Sequence, residues 1–174
     1  MARRNRKQRK HKSKPEGESR RAGEMRASEA LRRKLAAEGV NLAGPLPGAP
    51  KASDALVKVV EPLLEGVAAD TGMNKKRMED ILRLGILAWN AHSLGYTSMS
   101  AFLEEHGRDK LDLDDEDEFM MSIILEPLLH RRRKLFGHDR RLLADFVVLP
   151  PLSPSGEFRI SVAWANPKHV AATT

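Results

Sequence analysis

The chain has 174 residues, a length that suits one domain with residues to spare for a tail. It contains no cysteine, which excludes disulfides, thiolate metal sites and cysteine nucleophiles and makes a cytoplasmic location the expectation. No apolar run approaches the roughly 18 residues that span a bilayer, so no membrane partner is expected. The formal charge of +6 is unevenly distributed, and this distribution is more informative than the total.

Basic residues dominate the N-terminus. Residues 1–14 contain no acidic residue and eight basic ones, namely Arg3, Arg4, Arg6, Lys7, Arg9, Lys10, Lys12 and Lys14. The remaining chain therefore has a net charge of −2. Because apolar periodicity is absent, residues 1–18 are predicted to be a disordered basic tail. Lysine and arginine neutralise phosphates without reading base sequence, so the tail is expected to contact RNA, DNA or the ribosome.

A charged helix and a linker are predicted to follow the tail. Residues 19–38 have a thin apolar stripe at helical spacing, and the high charge of this helix suggests that it detaches from the body. Residues 39–52 are rich in proline and glycine, which is typical of a linker.

The folded body is predicted to span residues 53–166 and to open with three helices. The first begins after Ser53, and Pro62 should kink it or restart a second helix. The next is capped by Asn74 and stops before Gly95, and a short helix follows from about Ser98 to His106.

The last predicted helix opens in the acidic run 112–118 and closes on the basic run 130–134, an order that complements the helix dipole. Pro127 should bend or restart it. From Leu142 the apolar period changes to two, and two strands around a proline-rich turn predict an antiparallel hairpin with one buried face. Residues 167–174 are predicted to be a flexible C-terminus. The fold class is therefore α+β, mainly α: a small helical bundle with a C-terminal antiparallel β-hairpin packed on it.

A second basic cluster surrounds the start of this hairpin: Arg132, Arg133, Lys134, Arg140 and Arg141. One interpretation is a phosphate-binding surface beside the hairpin. The other, which the sequence favours, is that these residues cap the helix C-terminus and form ion pairs with the acidic run.

Three short motifs carry a resemblance to known proteins. They are Trp89-Asn90 at the end of an apolar helix, Arg133-Lys134-Leu135-Phe136 with Asp139-Arg140-Arg141, and Ser161-Val162-Ala163 in the last strand. The set resembles uncharacterised bacterial proteins of unknown function, some of which occur with zinc-binding SEC-C tails, although the SEC-C cysteines are absent. The resemblance covers residues 55–164 and implies a shared fold without implying an activity.

The sequence favours a non-catalytic binding protein over the alternatives. No nucleotide-binding loop or nucleophile elbow is present, and neither a cofactor nor a metal site is predicted. The tryptophans are expected to be core anchors. The favoured hypothesis is a protein whose tail contacts nucleic acid or the ribosome and whose body contacts an unknown protein partner. The alternatives are an adaptor module, in which the tail serves solubility or localisation, and an enzyme of unrecognised type.

Overall fold

The computed structural model describes residues 16–37, 40, 42–44, 47–71, 73–111, 115–149 and 158–165. Seven elements lie within these ranges: α1 Glu16–Ala37, α2 Ala52–Thr71, α3 Lys75–Leu94, α4 Met99–Leu111, α5 Asp115–Phe136, β1 Leu142–Leu149 and β2 Arg159–Ala165. This is the predicted class, a helical bundle followed by an antiparallel hairpin. The basic residues of the predicted tail, most of the turn between the strands and residues 167–174 lie outside the described residues.

The core lies between α2, α3, α4 and α5. Each of these helices contributes apolar side chains that are almost completely buried, including Leu56, Leu82, Leu103 and Leu129. At Gly85 in α3 an added Cβ would collide with Val60 and Leu56 of α2, so the close approach of the two helices requires glycine there.

Local sequence determines where α3 begins and ends. The Asn74 side chain accepts a hydrogen bond from the Arg77 amide at 3.0 Å, which satisfies a donor that has no partner within the helix. At the other end Gly95 adopts a left-handed conformation with φ 99°. Both predicted boundaries are confirmed.

Proline does not divide the helices. Pro62 lies inside α2 and Pro127 inside α5, and each helix continues past it, so the restart predicted as one alternative at each position does not occur. Both prolines are exposed, and packing on the opposite face holds each helix together across the lost backbone hydrogen bond.

The hairpin packs one face on the helices. Phe146 pairs with Val162 and Val148 with Ile160, and these four side chains contact the core cluster. A register shift between Leu143 and Asp145 adds one residue to β1 there.

The opposite face of the hairpin is covered by α1, so the expectation of a single buried face is wrong. Leu31 and Leu35 of α1 form a second apolar cluster with Ala163 of β2. The Ser28 and Ser161 hydroxyls lie 2.8 Å apart, and Lys34 forms a 3.0 Å ion pair with Asp145. The charged helix is therefore docked on the sheet, and the suggestion that it detaches is also wrong.

Part of the predicted linker pairs with the free edge of β2. Leu42 forms an antiparallel bridge with Ala165, and the Ala43 amide donates to the Trp164 carbonyl at 3.1 Å. Residues 43, 44 and 48–50 lie beside the start of the hairpin, where the second basic cluster lies.

Candidate nucleic-acid interface

The segment Gly137–Arg141, here called the α5–β1 turn, is held by the last turns of α3. The Trp89 indole and the Ser93 hydroxyl both donate to the Arg141 carbonyl, each at 2.8 Å. The Asn90 amide exchanges two hydrogen bonds with the backbone of Leu143, at 2.9 and 2.8 Å. The Trp89-Asn90 motif therefore fixes the path by which the chain enters β1.

Arg132 is an internal part of this turn. Its side chain has no exposed surface, and its guanidinium lies 3.8 Å from the centroid of the Trp89 ring. It donates to the carbonyls of Phe136 and Asp139, acceptors at the end of α5 that have no partner within the helix. Burial lowers the pKa of Arg132 to about 10, so the group stays charged at neutral pH.

Arg141 is likewise buried, with 4% of its surface exposed. Its Nε lies 3.0 Å from both carboxylate oxygens of Asp139, and its backbone amide donates to the same carboxylate at 3.1 Å. Burial alone would raise the pKa of Asp139, but the hydrogen bonds from Arg141 outweigh it and hold that pKa below its ordinary value. The pair is thus a neutral internal unit.

The burial of Arg132 and Arg141 corrects their assignment to a nucleic-acid-binding surface. Both guanidiniums are committed to acceptors inside the fold, so neither is available to a phosphate. The capping interpretation holds for Arg132, while Arg141 pairs with Asp139 of the turn itself.

The other three members of the cluster reach solvent and line one groove. Arg133 is half-buried and donates to the Thr97 carbonyl at 3.0 Å, whereas Lys134 and Arg140 are exposed. The open groove has a volume of about 860 Å³ and is bounded on its far side by residues 43, 44 and 48–50. Because Arg141 already neutralises Asp139, the lining carries a positive charge.

Trp164 gives this groove an aromatic wall. Its ring is half-buried and lies 5.4 Å from the Arg141 guanidinium, and it lines the groove together with Phe136. The expectation of a core anchor is confirmed for Trp89, which is fully buried; Trp164 packs against the same core cluster but is only half-buried. Alternation along β2 predicted which face of the strand Trp164 occupies. It could not predict that the helices leave this face partly uncovered at Trp164, where the groove lies.

Among the residues that the structure describes, no three histidine, aspartate or glutamate side chains are grouped to hold a metal ion. Within the same residues, none of the helices has the length and apolar character that crossing a membrane requires. His92 contacts the carbonyl of Gly137, a residue of the groove lining, at 3.1 Å, and burial lowers the pKa of His92.

Comparisons with protein-family models, curated proteins and solved structures found no match to this chain. The resemblance to proteins that carry SEC-C tails stays a prediction.

Proposed function

We propose that the protein is a non-catalytic binding protein that contacts nucleic acid or the ribosome through its basic tail and the groove beside the α5–β1 turn. The observation that carries the proposal is the lining of the groove, which contains three solvent-reaching cations and the half-buried Trp164 ring. Cations supply affinity for phosphates, and an accessible aromatic ring offers a stacking surface for an unpaired base. A cytoplasmic location belongs to the same proposal.

The tail and the groove make separate contributions in this proposal. Eight basic residues in the first 14 supply most of the charge, without aromatic side chains for stacking. If all eight contacted phosphates of a single strand, the logarithm of the binding constant would fall with the logarithm of salt concentration at a slope of about −6. The three groove cations would add about −2 to that slope.

Fluorescence anisotropy with labelled single-stranded RNA, measured from low to high salt, tests both contributions. Deleting residues 1–14 should remove most of the affinity and most of the salt dependence. Replacing Arg133, Lys134 and Arg140 together with alanine should weaken binding about tenfold or more and make the slope shallower by about 2.

A matched control replaces three exposed cations that lie away from the groove, Arg26, Lys76 and Arg83, with alanine. It removes the same charge, so it separates the groove from a general effect of net charge. Equal losses in the two triple variants would exclude the groove. An absence of RNA and DNA binding by the full chain would contradict the proposal and favour the adaptor alternative, which an exposed apolar face on α5 also supports.

A further inference from the structure

A second depression adjoins the groove at the edge of β2. This depression, here called the edge pocket, has a volume of about 260 Å³ and lies between Arg32 of α1, residues 49–53, and Ser161 and Val162 of β2. It shares part of its lining with the groove, namely Ala43, Ala49, Pro50, Arg141 and Trp164. Because these residues border both spaces, the groove and the edge pocket are two arms of one cleft, and Trp164 lies where they meet.

The edge pocket has cations of its own. Arg32 and Lys51 line it, both are exposed, and no ion pair among the described residues includes either of them. None of the described residues in its lining is acidic, and the charge of Arg141 is already neutralised by Asp139. Asp54, the acidic residue nearest to Lys51 in sequence, lies outside the lining. The cleft therefore has solvent-reaching cations in both arms, with an aromatic residue shared between the arms.

These features match a single strand of nucleic acid. Phosphates recur at every nucleotide of a strand, so the cations of the two arms can contact different phosphates of the same strand. An unpaired base can turn its face to the Trp164 ring, and such stacking is a common way in which proteins hold single strands. A duplex cannot use the ring in this way along its length, because its bases are stacked on one another. The basic tail, which has no aromatic residue, makes no such distinction.

We propose that the cleft binds single-stranded nucleic acid in preference to a duplex, and that the strand runs from the groove across Trp164 into the edge pocket. This inference rests on the proposed function and deepens it, because it names the form of nucleic acid and adds Arg32 and Lys51 to the binding surface. The tail supplies affinity for either form through its charge, whereas the cleft supplies the preference for unpaired bases. Helix α1 then contacts the ligand itself, through Arg32.

Tryptophan fluorescence of the full chain measures the stacking, because the chain has two tryptophans and Trp89 is fully buried. An oligouridylate of about eight nucleotides should quench the emission of Trp164. A blunt RNA duplex with as many phosphates should quench it at least threefold less at equal saturation, which anisotropy measures. Trp164→Phe keeps a stacking ring but lacks this emission, so it should bind like the parent without the quenching. An oligothymidylate of the same length tests whether a DNA strand is bound in the same way.

Replacing Arg32 and Lys51 together with alanine tests the path into the edge pocket. Losing two phosphate contacts should weaken binding of the oligouridylate several-fold and make the salt slope shallower by about 1.4. The matched control replaces Arg33 and Lys58 with alanine, since both are exposed and lie outside the lining of the cleft. It removes the same charge from α1 and α2 and should change the slope by less than half as much.

The failure of this inference differs from the failure of the proposed function. If the full chain binds neither RNA nor DNA, both fail together. If it binds single strands and duplexes with equal affinity and equal quenching, the preference for unpaired bases is overturned, while binding through the tail stands. Equal losses in the two double variants would overturn the path into the edge pocket, and the triple variant of Arg133, Lys134 and Arg140 would still measure the contribution of the groove.

Discussion

Replacing Arg132 with alanine should destabilise the fold, even though the sequence places this residue in a basic cluster. The guanidinium is fully buried, stacks on Trp89 and holds the carbonyls of Phe136 and Asp139. Removing it leaves the Asp139 carbonyl without its donor, at about 1–2 kcal/mol, and takes one of two donors from the Phe136 carbonyl, at about 1 kcal/mol, because the Asp139 amide also donates there at 2.9 Å. The lost stacking on Trp89 adds about 1 kcal/mol, so the expected loss is about 3–4 kcal/mol.

Urea unfolding followed by far-ultraviolet circular dichroism measures this loss, and a melting temperature lower by about 10–20 °C should accompany it. Arg132→Met keeps the stem of the side chain but lacks the donors. It should therefore recover the stability that comes from packing on Trp89, but not the stability that comes from the hydrogen bonds to the two carbonyls. Lys134→Ala is the control on the same helix, because Lys134 is exposed and its removal should change stability by less than about 0.5 kcal/mol.

If Arg132→Ala unfolds at the same urea concentration as the parent and loses RNA binding, the guanidinium serves a ligand rather than the turn. The phosphate-binding interpretation would then hold for Arg132.

Three further changes probe the contacts behind the groove and under the hairpin. Asn90→Ala removes both hydrogen bonds to the Leu143 backbone and should cost about 2–3 kcal/mol in urea unfolding, whereas a loss below about 0.5 kcal/mol would contradict the pairing. Burial lowers the pKa of His92, so the fold favours its neutral form, and the free energy of unfolding should fall as pH drops below about 6.5 toward the pKa in the folded state. His92→Gln should remove that part of the pH dependence when the urea unfolding of both proteins is measured over the same pH series. Leu35→Ala empties a buried position and should cost about 2–3 kcal/mol, with faster hydrogen exchange along α1 as its signature; unchanged exchange there would contradict the docking.

The order of the elements could be predicted because the signals for it are local. Asn74 and Gly95 act within one turn of the residues they cap, and the change of period at Leu142 needs only neighbouring side chains. The docking of α1 could not be predicted in the same way. Leu31 and Leu35 form too thin a stripe to identify a partner, and the partner surface, Ala163, comes about 130 residues later.

The second basic cluster shows the same limit at the candidate site. Arg132 and Arg133 are adjacent in sequence, yet the first is buried and the second lines the groove. What separates them is the helical rotation between neighbouring residues, which turns Arg132 toward the Trp89 ring. The acceptors for Arg132 lie four and seven residues ahead, at a helix end and turn that Trp89 and Ser93 of α3 hold through the Arg141 carbonyl. Charge alone therefore identified the cluster without separating its structural members from those that face solvent.

Strand β2 connects the docking of α1 to the shape of the groove. Ser161 and Ala163 face α1, while the next residue, Trp164, presents its ring to the groove. The backbone of Trp164 also holds Ala43, which begins the opposite wall. Because one strand carries the α1 contact, the aromatic ring and the anchor of the far wall, loosening α1 changes the surroundings of all three. Helix α1 is for this reason a structural support of the candidate interface, and it also connects the basic tail to the folded body.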